Sequence, residues 1–117
     1  MTTTLFILNE APYGTERTYN GLRLANALAK REGTHVRMFL LGDSVVAAKK
    51  GQKVPEGHYN VDIMLKNLAR RDGAIAACAT CMDARGMTDA ELEDGCRRGT
   101  LDELAAWTES SDQTLVF

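Results

Sequence analysis

A chain of 117 residues with 44% apolar side chains has material for one hydrophobic core and too little for two. Charged residues make up 26% and the net charge is −2, which excludes the composition of a disordered chain. The same charge leaves no basic field for a nucleic acid backbone or an anionic membrane, so neither is an expected partner.

Met1 to Glu10 has no cationic leader and only a brief apolar run, so it reads as a strand and not as a secretion signal. No stretch approaches the roughly 18 consecutive apolar residues of a membrane span. A cytoplasmic location is the expectation. The first strand is placed at Thr4 to Leu8, closed by the turn residues Asn9 to Gly14. Tyr19, Leu22, Ala25, Leu28 and Ala29 recur at helical spacing, with Thr15 as cap, Glu16 in the first turn and Gly33 as stop. Thr34 to Leu41 is apolar on both faces, as in a strand buried between helices, and ends at Gly42-Asp43.

Ser44 to Lys50 reads as a short helix and Gly51 to Tyr59, with Pro55, as the flexible loop. Asn60 is the expected cap of a helix with the stripe Val61, Met64, Leu65 and Leu68, ending at Arg70-Arg71 and Gly73. Ala74 to Cys78 is the third strand. Two capping boxes, Thr88 to Glu91 and Thr100 to Glu103, each open an expected amphipathic segment, the first with Leu92 and the second with Leu101, Leu104 and Trp107. Cys96, four residues after Leu92, then reads as a core contact of the first of these segments. Thr114 to Phe117 is the last strand. Strands alternating with helices predict an α/β fold, a single domain over residues 1–117 with a mainly parallel sheet of about four to five strands. In such a sheet the loops after Leu8, after Leu41 and around Cys78 converge on one edge, where a cleft belongs.

Three cysteines, an odd number in a chain with an ordinary core, argue for reduced thiols and against a disulfide framework. Cys78-Ala79-Thr80-Cys81 falls where a buried strand gives way to a turn, a place where backbone N–H groups stabilise a thiolate. Of the three thiols, Cys78 is therefore expected to combine exposure with oriented donors. The bland reading, a core cysteine at a strand end, stands beside the reactive one. A thioredoxin-like dithiol is disfavoured, because no Trp precedes Cys78 and neither proline is placed for that family's loop. Zinc is disfavoured too, because only Cys96, His35 and His58 remain to complete a tetrahedral site and none is ligand-spaced. Glu10, Asp43 and Asp83 are loop carboxylates without assigned roles. Glycine-rich nucleotide loops and a Gly-x-Ser-x-Gly elbow are absent.

The ordered set Phe39-Leu40-Leu41-Gly42-Asp43-Ser44-Val45, Ala48-Lys49-Lys50-Gly51-Gln52, Cys78 to Gly86, Gly95 to Leu104 and Thr114 to Phe117 resembles the DsrE/DsrF-like family over nearly the whole chain. That resemblance implies a three-layer α/β sandwich, homo-oligomers that are trimers or hexamers, and intracellular sulfur transfer. The family's sulfur-accepting cysteine matches Cys78, and Cys81 matches a second cysteine found in part of the family. The implied activity holds sulfur as a persulfide on Cys78, exchanges it with donor and acceptor proteins or low-molecular-weight thiols, and requires no cofactor. Cys81 is the candidate resolving thiol. The reading from a different class is a non-catalytic oligomeric module that binds a small ligand or a protein.

Overall fold

The computed structural model describes residues 1–54 and 59–117. Among these, the elements follow one another as β1 (Thr2–Leu8), α1 (Arg17–Ala29), β2 (Thr34–Leu40), α2 (Val61–Arg70), β3 (Ala74–Cys78), α3 (Ala79–Ala84), β4 (Cys96–Gly99), α4 (Leu101–Ser110) and β5 (Gln113–Val116). Short 3-10 turns cover Gly42–Ala48 and Asp89–Glu91. One sheet runs in the order β4-β3-β2-β1-β5 with every neighbouring pair parallel, because each connection is long enough to cross over the sheet.

The central strands are apolar on both faces because both faces are covered. Leu5, Phe6 and Leu8 of β1, Met38, Phe39 and Leu40 of β2, and Ala76 and Ala77 of β3 have no exposed surface. Each large side chain among them contributes roughly 1.5–3 kcal/mol by leaving water. Strand alternation assigns the faces. Arg37 and Phe39 of β2 meet Trp107 of α4, the guanidinium 5.8 Å from the indole centroid and the phenyl ring edge-on at 6.1 Å. Leu8 of β1 lies against Gly21 of α1, and Asn26 of α1 donates to the Met64 carbonyl of α2 at 3.1 Å. Helices α1 and α2 therefore form one outer layer and α4 the other, the three-layer sandwich expected.

Thr15 accepts from the Arg17 N–H at 3.4 Å, but the cap position of α1 is Glu16. Asn60 occupies the cap position of α2 with its side chain turned away, donating to the Gln52 carbonyl at 2.9 Å, and the Val61 N–H donates instead to the Tyr13 hydroxyl at 3.1 Å. The left-handed residue after α2 is Asp72, φ +62, and not Gly73. Gly73 serves by lacking a side chain, since a Cβ there would sit 2.7 Å from the Leu68 side chain. The Thr88 box closes only a three-residue turn, whereas at α4 only half of the expected box forms: Thr100 Oγ1 accepts from the Glu103 N–H at 3.2 Å, while the Glu103 carboxylate accepts from Arg97. Cys96 lies on a strand, β4, and not on a helix. Pro55 and His58, in the loop expected to be flexible, lie outside the described residues.

Candidate functional site

The parallel sheet brings the carboxyl ends of β1, β2 and β3 to one edge, as expected of this topology. The chain after β2 is fastened there: the Leu41 N–H and the Ser44 hydroxyl both donate to the Leu8 carbonyl, at 2.9 and 2.7 Å. This fixes Gly42, whose φ of +54° suits glycine and aims its N–H at Cys81 Sγ, 3.2 Å away.

Strand β3 ends at Cys78, which is also the cap residue of α3. The next residues turn immediately into helix, so free N–H groups and the side chains at Thr80 and Cys81 gather around the Cys78 sulfur. Thr80 Oγ1 lies 3.3 Å from Cys78 Sγ. Burial by itself pushes this thiol up. The Thr80 hydroxyl, the Cys81 N–H, the Cys81 thiol and the Thr80 N–H together outweigh it and hold Cys78 below the ordinary cysteine value. The oriented donors expected at this position are therefore present. The exposure is not: Cys78 is 5% exposed, and the more exposed residue of the pair is Cys81. Cys96 contrasts with Cys78. Burial, with Glu93, Asp62 and Asp94 nearby, pushes its thiol up to about 12, so it stays protonated. All three cysteines are free thiols.

Two arginines hold α3 against the sheet. Arg85 donates to the Asp43 carboxylate at 2.6 and 3.1 Å and to the Cys81 carbonyl at 3.0 Å. Arg98 of β4 donates to the Ala79 carbonyl at 3.2 Å, to Asp83 at 2.8 Å and to Asp89 at 2.6 Å. Asp43 and Asp83, left without roles above, are thus partners of the arginines that frame the two cysteines, while Glu10 supplies its carbonyl to the Thr18 hydroxyl at 2.6 Å. Arg98 was missed because Arg97-Arg98 reads in sequence as surface charge, and its partners lie 9 to 19 residues away. Among the described residues no group of three or more His, Cys, Asp or Glu side chains is placed to hold a metal ion, and no helix is long and apolar enough to cross a membrane.

The molecule is thus a parallel-sheet α/β sandwich that carries a Cys-x-x-Cys step from strand to helix. The chain belongs to the DsrE/DsrF-like family, whose model matches residues 3–117. It is 45% identical to protein YchN of Escherichia coli strain K12 over 114 residues, 97% of each chain. It is also 35% identical to the uncharacterized protein MK0008 of Methanopyrus kandleri over 111 residues, 95% of this chain and 90% of the relative. The crystal structure of the E. coli ychN protein superposes over the whole of both chains with a TM-score of 0.95 at 44% identity. MTH1491 of Methanobacterium thermoautotrophicum, described as a protein of unknown function, shares the fold, with a TM-score of 0.71 at 17% identity over 97% of each chain.

Proposed function

We propose that this protein is an intracellular sulfur carrier that accepts sulfane sulfur as a persulfide on Cys78 and passes it to an acceptor thiol. The observation that carries the reading is the Cys78 thiol itself, held below the ordinary cysteine value in spite of its burial, with a second thiol three residues on. Family membership supports it, since the resemblance implies sulfur relay. The Cys78 thiolate attacks the outer sulfur of a donor persulfide; a Cys78–sulfur bond forms, the donor's sulfur–sulfur bond breaks, and the donor leaves as a thiolate. For delivery, an acceptor thiolate attacks the outer sulfur, leaves as the acceptor persulfide and restores the Cys78 thiolate; in the resolving route the Cys81 thiolate attacks the inner sulfur, hydrosulfide leaves, and two acceptor thiols reduce the Cys78–Cys81 disulfide and depart joined as their own disulfide. Neither route needs a cofactor. The same reading has the chain work as a homo-oligomer, trimer or hexamer, in the cytoplasm, with donor and acceptor proteins or low-molecular-weight thiols as partners. The 5% exposure of Cys78 is the one observation that favours the alternative, a non-catalytic oligomeric binding module in which this thiol is only packed.

Intact-mass measurement after exposure to inorganic hydrodisulfide separates the two. Wild type is expected to gain one sulfur and then shed it as hydrosulfide as the Cys78–Cys81 disulfide forms, Cys78→Ser to hold none stably, and Cys81→Ser to load but release its sulfur more slowly to a thiol acceptor, with circular dichroism checking that both variants fold. A serine hydroxyl is un-ionised at neutral pH and forms no persulfide, so the nucleophile is irreplaceable. Stable loading of folded Cys78→Ser moves the role to another thiol. No loading of wild type by any donor leaves the binding module as the better account.

A further inference from the structure

A carrier must meet its donors, and the sulfur assigned to hold the cargo is nearly closed off. Cys78 is 5% exposed, with β3 behind it and the first turn of α3 over it. Cys81 lies one helical turn further on, half-buried, on the side of α3 that faces the turn after β2. An attacking thiolate and the disulfide it cleaves must approach in line, which a small inorganic sulfur anion manages in a narrow opening and a tripeptide or protein persulfide does not. The geometry around Cys81 adds a second element, because the Gly42 N–H aimed at its sulfur at 3.2 Å is in place to take the charge that develops there when Cys81 is a leaving group.

We infer that sulfur from bulky persulfide donors enters through Cys81 and is handed inward to Cys78, so that Cys81 is the port and Cys78 the holder. This rests on the persulfide reading and adds to it a route and a selectivity. In the first step the Cys81 thiolate attacks the outer sulfur of the donor; a Cys81–sulfur bond forms, the donor's sulfur–sulfur bond breaks, and the donor departs as a thiolate with the electron pair. In the second, the Cys78 thiolate attacks that same outer sulfur; a Cys78–sulfur bond forms, the Cys81–sulfur bond breaks, and the Cys81 thiolate is restored against the Gly42 N–H. The sulfane sulfur keeps its oxidation state through both transfers, so no oxidant or reductant is consumed. In this chain, with Cys78 at 5% exposure, loss of Cys81 is expected to slow loading from large persulfides more than from small inorganic ones. The second cysteine widens its donors to thiol persulfides of larger size.

Two measurements test this, and they fail separately. Loading rates with glutathione persulfide and with inorganic hydrodisulfide are compared by intact mass in wild type and Cys81→Ser. The ratio of hydrodisulfide to glutathione persulfide rates is expected to rise roughly tenfold or more in the variant, and an unchanged ratio overturns the port. In parallel, wild type is labelled with iodoacetamide and with a polyethylene glycol maleimide, and the modified peptides are mapped. The large reagent is expected to favour Cys81 over Cys78 by roughly tenfold, a factor equivalent to about 1.4 kcal/mol of local opening. Equal labelling of the two by the large reagent overturns the port even if no donor loads the protein. Failure of all loading, with Cys81 still preferred by the large reagent, overturns the persulfide reading and with it the sulfur route, leaving only the difference in access.

Discussion

Asp62 and Glu93 are two carboxyl groups buried side by side, 3% and 9% exposed. Burial, then the hydrogen bond and charge of Glu93, hold the Asp62 carboxyl above its ordinary value of 3.8, and its Oδ1 has no partner among the described residues. A carboxyl whose folded value is raised contributes stability that is fully present below its unfolded value and is lost as pH rises through the folded value. The window therefore opens near pH 4 and extends upward. Asp62→Asn keeps the shape and can donate to Glu93 without titrating, so wild type should lose stability relative to this variant between pH 4 and pH 8. Thermal melts across that range check it, at roughly 4 °C per kcal/mol in a domain of this length. A difference in melting temperature that does not vary with pH would contradict the assignment.

Helix α3 is six residues long and buries only Met82, too little to hold itself on the sheet. Its position depends on Arg98 and Arg85, each partly exposed, and such ion pairs are individually worth about 0–1 kcal/mol. Removing all the Arg98 contacts with Arg98→Ala should therefore change global stability little while loosening α3 locally. Alkylation of Cys78 is expected to accelerate several-fold. An unchanged alkylation rate would show that α3 is held by something else. Strand β3 was legible to the residue, because Ala74 to Cys78 is an apolar run bounded by Gly73 and by the cysteine step. Strand β4 was not, because Cys96-Arg97-Arg98-Gly99 has no apolar alternation. It becomes a strand through pairing with β3, and its two arginines find partners on opposite faces, Arg97 at Glu103 and Trp107, Arg98 at Asp83 and Asp89. The Thr88 box was over-read for a similar reason. Residues 91–93 leave the helical path to bond with Ala48 to Lys50, through the Lys50 N–H to the Glu91 carbonyl at 2.8 Å and the Glu93 N–H to the Ala48 carbonyl at 2.7 Å. Of the site, the cysteine pair was visible in sequence, whereas the hold of Gly42 on Cys81 appears only once the sheet has brought residues 39 positions apart together.

At the scale of the whole molecule, the two faces of the sheet are unequally covered. Among the described residues α4 covers one face, with Leu104 its one buried residue at 7% exposure, while Leu101 and Val116 stay exposed on that helix and on the edge strand β5. An open edge and a thinly covered face are what association between copies would conceal. The trimer or hexamer proposed above should appear in light scattering at micromolar concentration, and a monomer at every concentration tested would remove it.

The strand order also has a consequence for assembly. Strands β1 to β4 are laid down neighbour to neighbour, and the register Thr2 opposite Thr34 needs a loop of only some thirty residues. Strand β5 must return to the far side of β1, and its contacts there, such as the Thr3 N–H to the Asp112 carboxylate at 2.7 Å, join residues 109 positions apart. Because closure entropy grows with the logarithm of loop length, the last pairing costs about 1 kcal/mol more than the first in an unfolded chain. The nascent sheet therefore waits with the outer rim of β1 bare, displaying the same unpaired N–H and C=O groups that recruit foreign strands. Speed of β5 docking, more than final stability, then sets how long each newly made chain is open to misassembly.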